Sequence, residues 1–326
     1  MMNKRSNGVY VIAEIGINHG GDVEVCAEMI DSAAEIGVDA VKLQTIDAGS
    51  NYEVSTDSYK IFKSSELTRK ETADMFNLAH SNGLDIFTTA GDTTTIEWVD
   101  QLNPSCWKIS SGLLNHIPII RHLASLQRPL LMSTGLANID DIDLAIETIK
   151  STGNDNISIF QCTSLYPAPI NSLNLSTIRW LKKRYGYDVG FSDHSLGSDA
   201  AFLSVAAGAT LIEKHFSLDP GRSGFDHGIS LDPKGFKEMI LRIRMAEEMM
   251  GQSEKNVSQS IQHMRDNFLR SIVAIDNITK GDIFSTKNIG VRRTLPNIKG
   301  SEPKYFDDIV SSVSKKNFNI NDPIIF

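Results

Sequence analysis

The sequence predicts a (β/α)8 barrel, also called a TIM barrel, followed by a small C-terminal β-rich domain. Eight short apolar runs rich in strand-forming residues occur over about 250 residues, and stretches with helical spacing separate them. Beyond about residue 252 the rhythm changes to short strand-like pieces around turns. A doubly wound open sheet is the alternative, but no GxGxxG motif follows the first run and eight units suit closure into a barrel.

The eight predicted strands are nearly continuous apolar runs, as expected for parallel strands that are covered on both faces. In chain order they are VYVIAEIG (9–16), AVKLQT (40–45), LDIFTTA (84–90), CWKISSG (106–112), PLLMSTG (129–135), ISIFQCTS (157–164), DVGFSDHS (188–195) and TLIEKHFS (210–217). A long connection, residues 46–69, follows the second strand, and long βα connections commonly act as lids or contact substrate.

The stretches between the strands place apolar residues on one helical face. These residues are Val25, Met29, Ala33 and Ile36 in the first stretch, and Ile142, Ile146 and Ile149 in a later one. The last stretch begins at Pro233 and stops at Gly251, positions that are typical of helix starts and ends.

The sequence predicts three segments: a barrel domain over 1–252, a polar linker with some helix over 253–268, and a small β-rich domain over 269–326. The last segment is short for an independent core, so we expect it to dock on something.

Composition indicates an ordinary globular protein, since 41% of the 326 residues are hydrophobic and 22% are charged. The net charge of −8 argues against a nucleic-acid partner. The cysteines, Cys26, Cys106 and Cys162, contain no CxxC pair, which favours a reducing, cytoplasmic setting without a disulfide framework or a thiolate zinc site. The polar N-terminus MMNKRSNG is unlike a signal peptide, and no apolar window approaches the roughly 18 residues of a membrane span.

Two lysines stand inside predicted strands, where an unpaired ammonium is very costly. Lys42 and Lys108 therefore need anions. A salt bridge to Glu14 is one interpretation; the other is an anionic substrate, with Glu14 as the partner while the site is empty. Hydroxyls at the ends of strands three to five could add neutral donors for a phosphate or carboxylate; they belong to Thr88, Thr89, Ser110, Ser111, Ser133 and Thr134.

Two histidines, His194 and His215, end the seventh and eighth strands. A lone histidine in an apolar strand is more often a satisfied core residue. Adjacent strands lie about 5 Å apart, however, so both imidazoles would face one barrel mouth, and imidazoles suit a divalent transition metal. His227, in the loop beyond, is a candidate third ligand with no spacing rule behind it.

These residues belong to a set of motifs that resembles the sialic acid synthase family, which comprises N-acetylneuraminate synthase and its legionaminate and pseudaminate relatives. The motifs, in order along nearly the whole chain, are AEIGINHGGD, VKLQT, KISSG, MSTG, CTSLYPAP, GFSDHS, EKHF and GFDHGISLDP. From about residue 269 the chain resembles the family's antifreeze-like (SAF) domain.

The resemblance implies condensation of phosphoenolpyruvate with an N-acetylated sugar aldehyde, either N-acetylmannosamine or a related 2,4-diacetamido hexose, to a nine-carbon nonulosonic acid and phosphate. It implies Mn²⁺, with Mg²⁺ or Co²⁺ as alternatives, bound by His194 and His215. Phosphoenolpyruvate contacts match Lys42, Thr89, Lys108, Ser111 and Ser133; sugar contacts match Gln44, Tyr166 and Asp226; and Glu14 matches the acidic residue of the first strand. Of these, the resemblance together with the expected chemistry assigns catalytic roles to Glu14, Lys42, Lys108 and Asp226.

The family forms a domain-swapped homodimer in which an arginine of the C-terminal domain reaches the partner's active site. Arg293 in VRRTLP is the better match and Arg292 is the alternative, because RTLPNIKG departs from the usual Arg-Pro-Gly pattern.

Other positions also depart from the family pattern. Leu113 stands where the family has an acidic residue, Ser164 where sialic acid members commonly have Asn, and Ala90-Gly91 where a Pro-Phe pair is common. Because leucine cannot transfer a proton, a degenerate paralogue that binds sugar or phosphoenolpyruvate without turnover is an alternative function. A Schiff-base aldolase using Lys42 or Lys108 is a further one.

Overall fold

A computed structural model describes residues 8–296 and 298–326. The chain divides into two compact units, one ending at Gly251 and the other running from Gln252 to Phe326. Residues 1–7, which carry most of the N-terminal segment discussed above, lie outside the described residues.

The first unit contains a closed barrel of eight parallel strands in chain order, which confirms the predicted barrel. The strands are β1 (Tyr10–Gly16), β2 (Ala40–Gln44), β3 (Asp85–Thr89), β4 (Trp107–Ile109), β5 (Leu130–Ser133), β6 (Ile157–Cys162), β7 (Asp188–Asp193) and β8 (Leu211–His215). Most end before the predicted limit; β4, for example, stops at Ile109 rather than at residue 112. The polar residues that the sequence assigned to strand ends therefore lie partly in the loops at the barrel mouth.

The helices of the first unit alternate with the strands. They are α1 (Val23–Ile36), α2 (Ala48–Asn51), α3 (Asp57–Ser65), α4 (Arg69–Ser81), α5 (Thr93–Asp100), α6 (Ile117–Ser125), α7 (Ile139–Lys150), α8 (Thr177–Tyr185), α9 (Asp199–Ala206) and α10 (Pro233–Met250). The connection 46–69, expected to be a long loop, thus folds as two short helices and the start of α4. The Asp47 side chain caps α2 and the Thr56 side chain caps α3.

Local sequence explains where the longer helices stop and what they bury. Helix α1 begins after Asp22, whose carboxylate accepts hydrogen bonds from the first turn, and ends at Gly37, whose φ of 84° suits glycine. Met29 and Ala33 of its predicted face are buried, whereas Val25 and Ile36 are only partly covered. In α7 all three predicted isoleucines are buried or nearly so.

Strand register brings the barrel's polar residues to one level. Glu14 of β1 pairs with Lys42 of β2 on one side and with His215 of β8 on the other. Below them lies an apolar cluster inside the barrel, formed by Tyr10, Ile12, Ala40, Phe87, Cys106, Leu131, Phe160 and Leu211. This cluster closes the barrel beneath the charged layer, so that layer faces the mouth.

The second unit begins with α11 (Gln259–Phe268), which occupies most of the predicted linker, and continues into an antiparallel pair, β9 (Ser271–Ala274) and β10 (Ile289–Arg292). It also contains a short helix, α12 (Phe306–Ile309). Its core is a separate apolar cluster of Ile272, Ala274, Ile278, Phe284, Ile289, Ile309, Phe318 and Ile324. Among the described residues, no helix of either unit is both long and apolar enough to cross a membrane.

Candidate active site

A cavity of about 620 Å³ opens at the carboxyl ends of the barrel strands. Ten of the twelve residues predicted for the site line it: Glu14, Lys42, Gln44, Thr89, Lys108, Ser111, Ser133, Tyr166, His194 and His215. Asp226 is not part of this lining, but its carboxylate lies 3.6 Å from His215 Nδ1. Arg293 lies in the second unit, with its guanidinium 4.7 Å from the centre of the Phe268 ring.

The two buried lysines share a network of carboxylates. Lys42 Nζ lies 2.9 Å from Glu14 Oε2 and 3.4 Å from Glu213 Oε2, whereas Lys108 Nζ lies 2.6 and 2.5 Å from the two Glu213 oxygens. The predicted pairing with Glu14 is therefore correct for Lys42, but the anion that pairs with Lys108 is Glu213. Ser192 donates a further hydrogen bond to Glu213 Oε1 at 2.9 Å.

Burial and mutual attraction set the charges in this network. Burial lowers the pKa of Lys42 to about 7, although the Glu213 carboxylate acts in the opposite direction. Burial would by itself raise the pKa of Glu213, but the ammonium groups of Lys108 and Lys42 hold it below its usual range. Glu213 is therefore ionised at neutral pH, while Lys42 is poised between its two protonation states.

Hydroxyl groups beside the lysines have unused hydrogen-bonding capacity. Thr89 Oγ1 and Ser133 Oγ are buried, and neither has a hydrogen-bond partner within the described residues. Ser111 Oγ accepts a hydrogen bond from the Gly135 amide at 3.0 Å and also has a proton of its own to donate. Because an unsatisfied buried polar group is costly, this arrangement favours a ligand that accepts hydrogen bonds, such as a phosphate or carboxylate.

The two histidines, at the ends of β7 and β8, meet in the same cavity. Their ring centres lie 5.4 Å apart, and the Tyr166 ring stacks on His194 at 4.2 Å. His194 Nδ1 lies 2.9 Å from the Thr163 carbonyl oxygen; because that oxygen can only accept, Nδ1 carries the proton and Nε2 is left as a ligand atom. His215 Nδ1 is buried without a hydrogen-bond partner among the described residues.

This pair fits a metal ion. Burial lowers the pKa of both imidazoles, and the neutral form is the one that coordinates metals. In the part of the chain that the structure describes, no group of three or more His, Cys, Asp or Glu side chains is placed to hold an ion. The two imidazoles are therefore the candidate protein ligands. His227, the candidate third ligand, instead contacts the Ser217 hydroxyl at 2.7 Å and does not line the cavity.

Sequence reasoning missed the role of Glu213 and the contribution of the segment after β2. Glu213 stands two residues before His215 in a buried strand, so strand alternation already placed both side chains on one face. Asn51, Tyr52 and Phe62 line the cavity from α2, α3 and their junction, and this required the three-dimensional fold of residues 46–69. Leu113, in a 3-10 turn after β4, presents its apolar side chain to the same cavity.

Comparison with known proteins gives consistent matches. The model of the NeuB family matches residues 29–255. The N,N'-diacetyllegionaminic acid synthase of Campylobacter jejuni is 32% identical over 94% of this chain and 96% of its own length. The pseudaminic acid synthase of the same species is 30% identical over 97% of this chain and 95% of its own length.

A solved structure of an N-acetylneuraminic acid synthetase is also similar to this chain. The N-acetylneuraminic acid synthetase of Leptospira borgpetersenii, crystallised with citrate, superposes with a TM-score of 0.77 at 28% identity, covering 79% of this chain and 90% of that chain. These proteins are named for different sugar acids at comparable identity, so overall identity does not select the sugar.

Proposed function

Since the chain belongs to the NeuB family, the sialic acid synthase family, and is an enzyme of this synthase class, we propose that it condenses phosphoenolpyruvate with an N-acetylated sugar aldehyde. The product is a nine-carbon nonulosonic acid, and phosphate is released. C3 of phosphoenolpyruvate forms the new bond to the aldehyde carbon, water adds at C2, and the resulting tetrahedral centre loses phosphate by cleavage of its C–O bond. The acceptor is N-acetylmannosamine or a 2,4-diacetamido hexose.

The observation that carries this proposal is the anion-binding half of the cavity. Two buried ammonium groups, Lys42 and Lys108, line the cavity together with the hydroxyls of Thr89 and Ser133, which have no hydrogen-bond partner among the described residues. A phosphate and a carboxylate satisfy all four groups at once, and fixing both ends of phosphoenolpyruvate orients its C3. In this proposal Glu14 is the partner that Lys42 exchanges for the ligand, and Ser111 adds a further donor.

The part of the cavity around His194 and His215 is proposed to hold a divalent metal and the sugar. His194 and His215 would bind Mn²⁺, with Mg²⁺ or Co²⁺ as alternatives, and such an ion supplies Lewis-acid polarisation of an aldehyde oxygen. Tyr166 and Gln44 would contact the sugar. Asp226, whose carboxylate lies 3.6 Å from His215 Nδ1, would exchange a proton with a sugar hydroxyl.

The second unit is proposed to be an antifreeze-like SAF domain, and the molecule a domain-swapped homodimer. In this arrangement Arg293, or Arg292 in its place, reaches the active site of the partner subunit. The basis is the resemblance of residues 269–326 to that domain.

Phosphate release tests the proposed function. We expect release to require both phosphoenolpyruvate and an N-acetylated hexose, to stop with EDTA, and to return with Mn²⁺. Phosphate release that is unchanged by EDTA and by His215→Ala would defeat the proposed metal site.

One observation favours a second candidate function, a binding paralogue without turnover. Leu113 lines the cavity where the family has an acidic residue. Metal-loaded protein that binds phosphoenolpyruvate or a sugar, but releases no phosphate with any of several candidate sugars, would support this second function. Leu113→Glu would then be expected to restore turnover. A Schiff-base aldolase instead requires a covalent adduct on Lys42 or Lys108 after borohydride treatment with pyruvate.

A further inference from the structure

A glycine two residues after β3 makes room for an asparagine side chain from α2. A Cβ atom built on Gly91 would lie 1.8 Å from Asn51 Oδ1 and 2.9 Å from Asn51 Cγ, which no pair of atoms can tolerate. The backbone of Gly91 is not in the left-handed region, so the position would otherwise accept a side chain. The absence of a side chain at 91 is therefore what lets Asn51 occupy this part of the cavity wall.

The orientation of the Asn51 amide follows from its neighbours. Its Nδ2 lies 2.8 Å from the Asp47 carbonyl oxygen and 3.4 Å from Asp92 Oδ2, and both of those atoms can only accept. The nitrogen must therefore point at them, and both of its protons are directed to protein acceptors. Only the oxygen Oδ1, which accepts no hydrogen bond within the described residues, is left for a ligand.

The groups that hold Asn51 are themselves fixed. Asp92 accepts the Thr95 amide at 2.8 Å as the cap of α5, and Asp47 accepts the Ser50 amide at 2.7 Å as the cap of α2. Glu66 accepts the Ala48 amide at 2.9 Å and so ties the start of α2 to the end of the segment. The amide is thus held before a ligand arrives, which lowers the entropic cost of using it.

The cavity that Asn51 lines is partly apolar. Tyr52 and Phe62 stack with ring centres 5.1 Å apart, and both line the same cavity as Asn51, together with Leu113 and Leu136. A lone acceptor oxygen in a cavity with apolar walls suits a group that combines one donor with a small apolar body. An acylamido substituent has this form, because its N–H donates and its acyl methyl group packs against apolar surface.

We propose that Asn51, seated over Gly91, determines acceptor specificity by accepting a hydrogen bond from an acylamido N–H of the sugar. This inference rests on the proposed function, since it adds a residue that selects the acceptor sugar to the cavity of that function. It also gives the departure at position 91 a physical role.

The test compares sugars that differ only in the donor. The probes are N-acetylmannosamine and a 2,4-diacetamido-2,4,6-trideoxyhexose, each beside its analogue in which an ester oxygen replaces the amide N–H. Affinity is measured by calorimetric titration, and kcat/KM by phosphate release with saturating phosphoenolpyruvate. We expect the parent protein to prefer an acetamido sugar over its ester analogue on the order of 10-fold, as one hydrogen bond implies.

Three variants distinguish loss of the Asn51 hydrogen bond from an unspecific change in the structure of the cavity. Asn51→Ala is expected to reduce the preference to about one. Gly91→Ala is expected to do the same in the parent, because its methyl group displaces Asn51, but to add nothing in the Asn51→Ala background. Gly49→Ala is the matched control: it lies on the same helix, its Cβ would meet only Asp47 Oδ1 at 3.6 Å, and it should keep the parent preference.

The outcomes distinguish this inference from the proposed function. A parent protein without preference for the amide, or a preference that survives Asn51→Ala, overturns the role of Asn51. In a further outcome the parent protein binds the amide selectively, this selectivity is lost in Asn51→Ala, and no phosphate is released. That result supports the role of Asn51 and contradicts the proposed synthase activity. If phosphate is released but the preference for the acetamido sugar is the same in the variants as in the parent, the synthase activity is supported and the role of Asn51 is contradicted.

Discussion

Glu213 balances the charge of the cavity, because its two oxygens face the ammonium groups of Lys108 and Lys42. We expect Glu213→Gln to lower the free energy of unfolding by about 3 kcal/mol, since it leaves Lys108 buried without its anion. Urea unfolding measures the change. The double variant Glu213→Gln with Lys108→Met removes the unpaired charge and should recover most of the loss; no recovery would contradict the pairing.

We expect Lys42 to make the proposed binding of phosphoenolpyruvate depend on pH. Its pKa of about 7 in the free site means that it loses its charge as the pH rises above 7, whereas a bound anion favours the charged form. The contribution of Lys42 to the affinity for phosphoenolpyruvate should therefore be constant well below pH 7. Above pH 7 the affinity should fall by up to about 10-fold per pH unit. Calorimetry between pH 7.5 and about 9 tests this, because the phosphate of the ligand, with a pKa near 6, is then fully ionised.

Lys42→Arg provides the control for this pH dependence. An arginine keeps its charge throughout this range, so the affinity of the variant, whatever its absolute value, should not change with pH. A slope that persists in Lys42→Arg would show that another group is responsible.

The residues of the cavity differ in how far the sequence could predict them. Lys42, Lys108 and the two histidines were predictable because a charge or an imidazole inside an apolar strand needs an explanation. The partner of Lys108 was not, since two buried carboxylates were available and only the register and side-chain directions of the closed barrel select Glu213. Asn51 gave no signal at all, because its position depends on the missing side chain at Gly91.

At the scale of elements, β7 is packed so closely that one position must be glycine. A Cβ on Gly190 would lie 2.6 Å from Phe160 Cε1 and 2.8 Å from the Leu211 carbonyl oxygen. We expect Gly190→Ala to lower the free energy of unfolding by about 1–3 kcal/mol through overpacking. It should also lower turnover, because the displaced Phe160 ring lies 4.7 Å from Lys108 Nζ.

Urea unfolding and phosphate release measure these two effects. Gly49→Ala, in the exposed part of α2, is the control and should leave both quantities near those of the parent. An equally stable and active Gly190→Ala would contradict the close packing of β7 against β6.

The elements that the sequence predicted well are those with a strong period. Each barrel strand is a buried apolar run, and α7 and α10 carry regular apolar faces with clear start or stop residues. The segment 46–69 lacks such a run, and its helices, α2 and α3, are short and largely exposed. Their formation depends on caps and on contacts with the barrel mouth, which periodicity does not reveal.

At the scale of the whole molecule, the repeated strand–helix rhythm was sufficient to predict the barrel, since eight parallel strands with covered faces close in few ways. The second unit has its own small core but carries Arg293, the one predicted site residue outside the barrel unit. The proposed swapped dimer assigns that residue to the partner's cavity.

A heterodimer of two inactive chains tests whether Arg293 acts on the partner subunit. One chain carries Arg293→Ala and the other His215→Ala, each with a different affinity tag, and the mixed dimer is purified through both tags. If the arginine acts in trans, the intact barrel of the first chain receives Arg293 from the second, and the dimer should show about half of the parent's phosphate release. If it acts within its own chain, both sites are defective and activity should be absent. Arg292→Ala in place of Arg293→Ala identifies which arginine is used, because only the variant that inactivates the homodimer can be complemented.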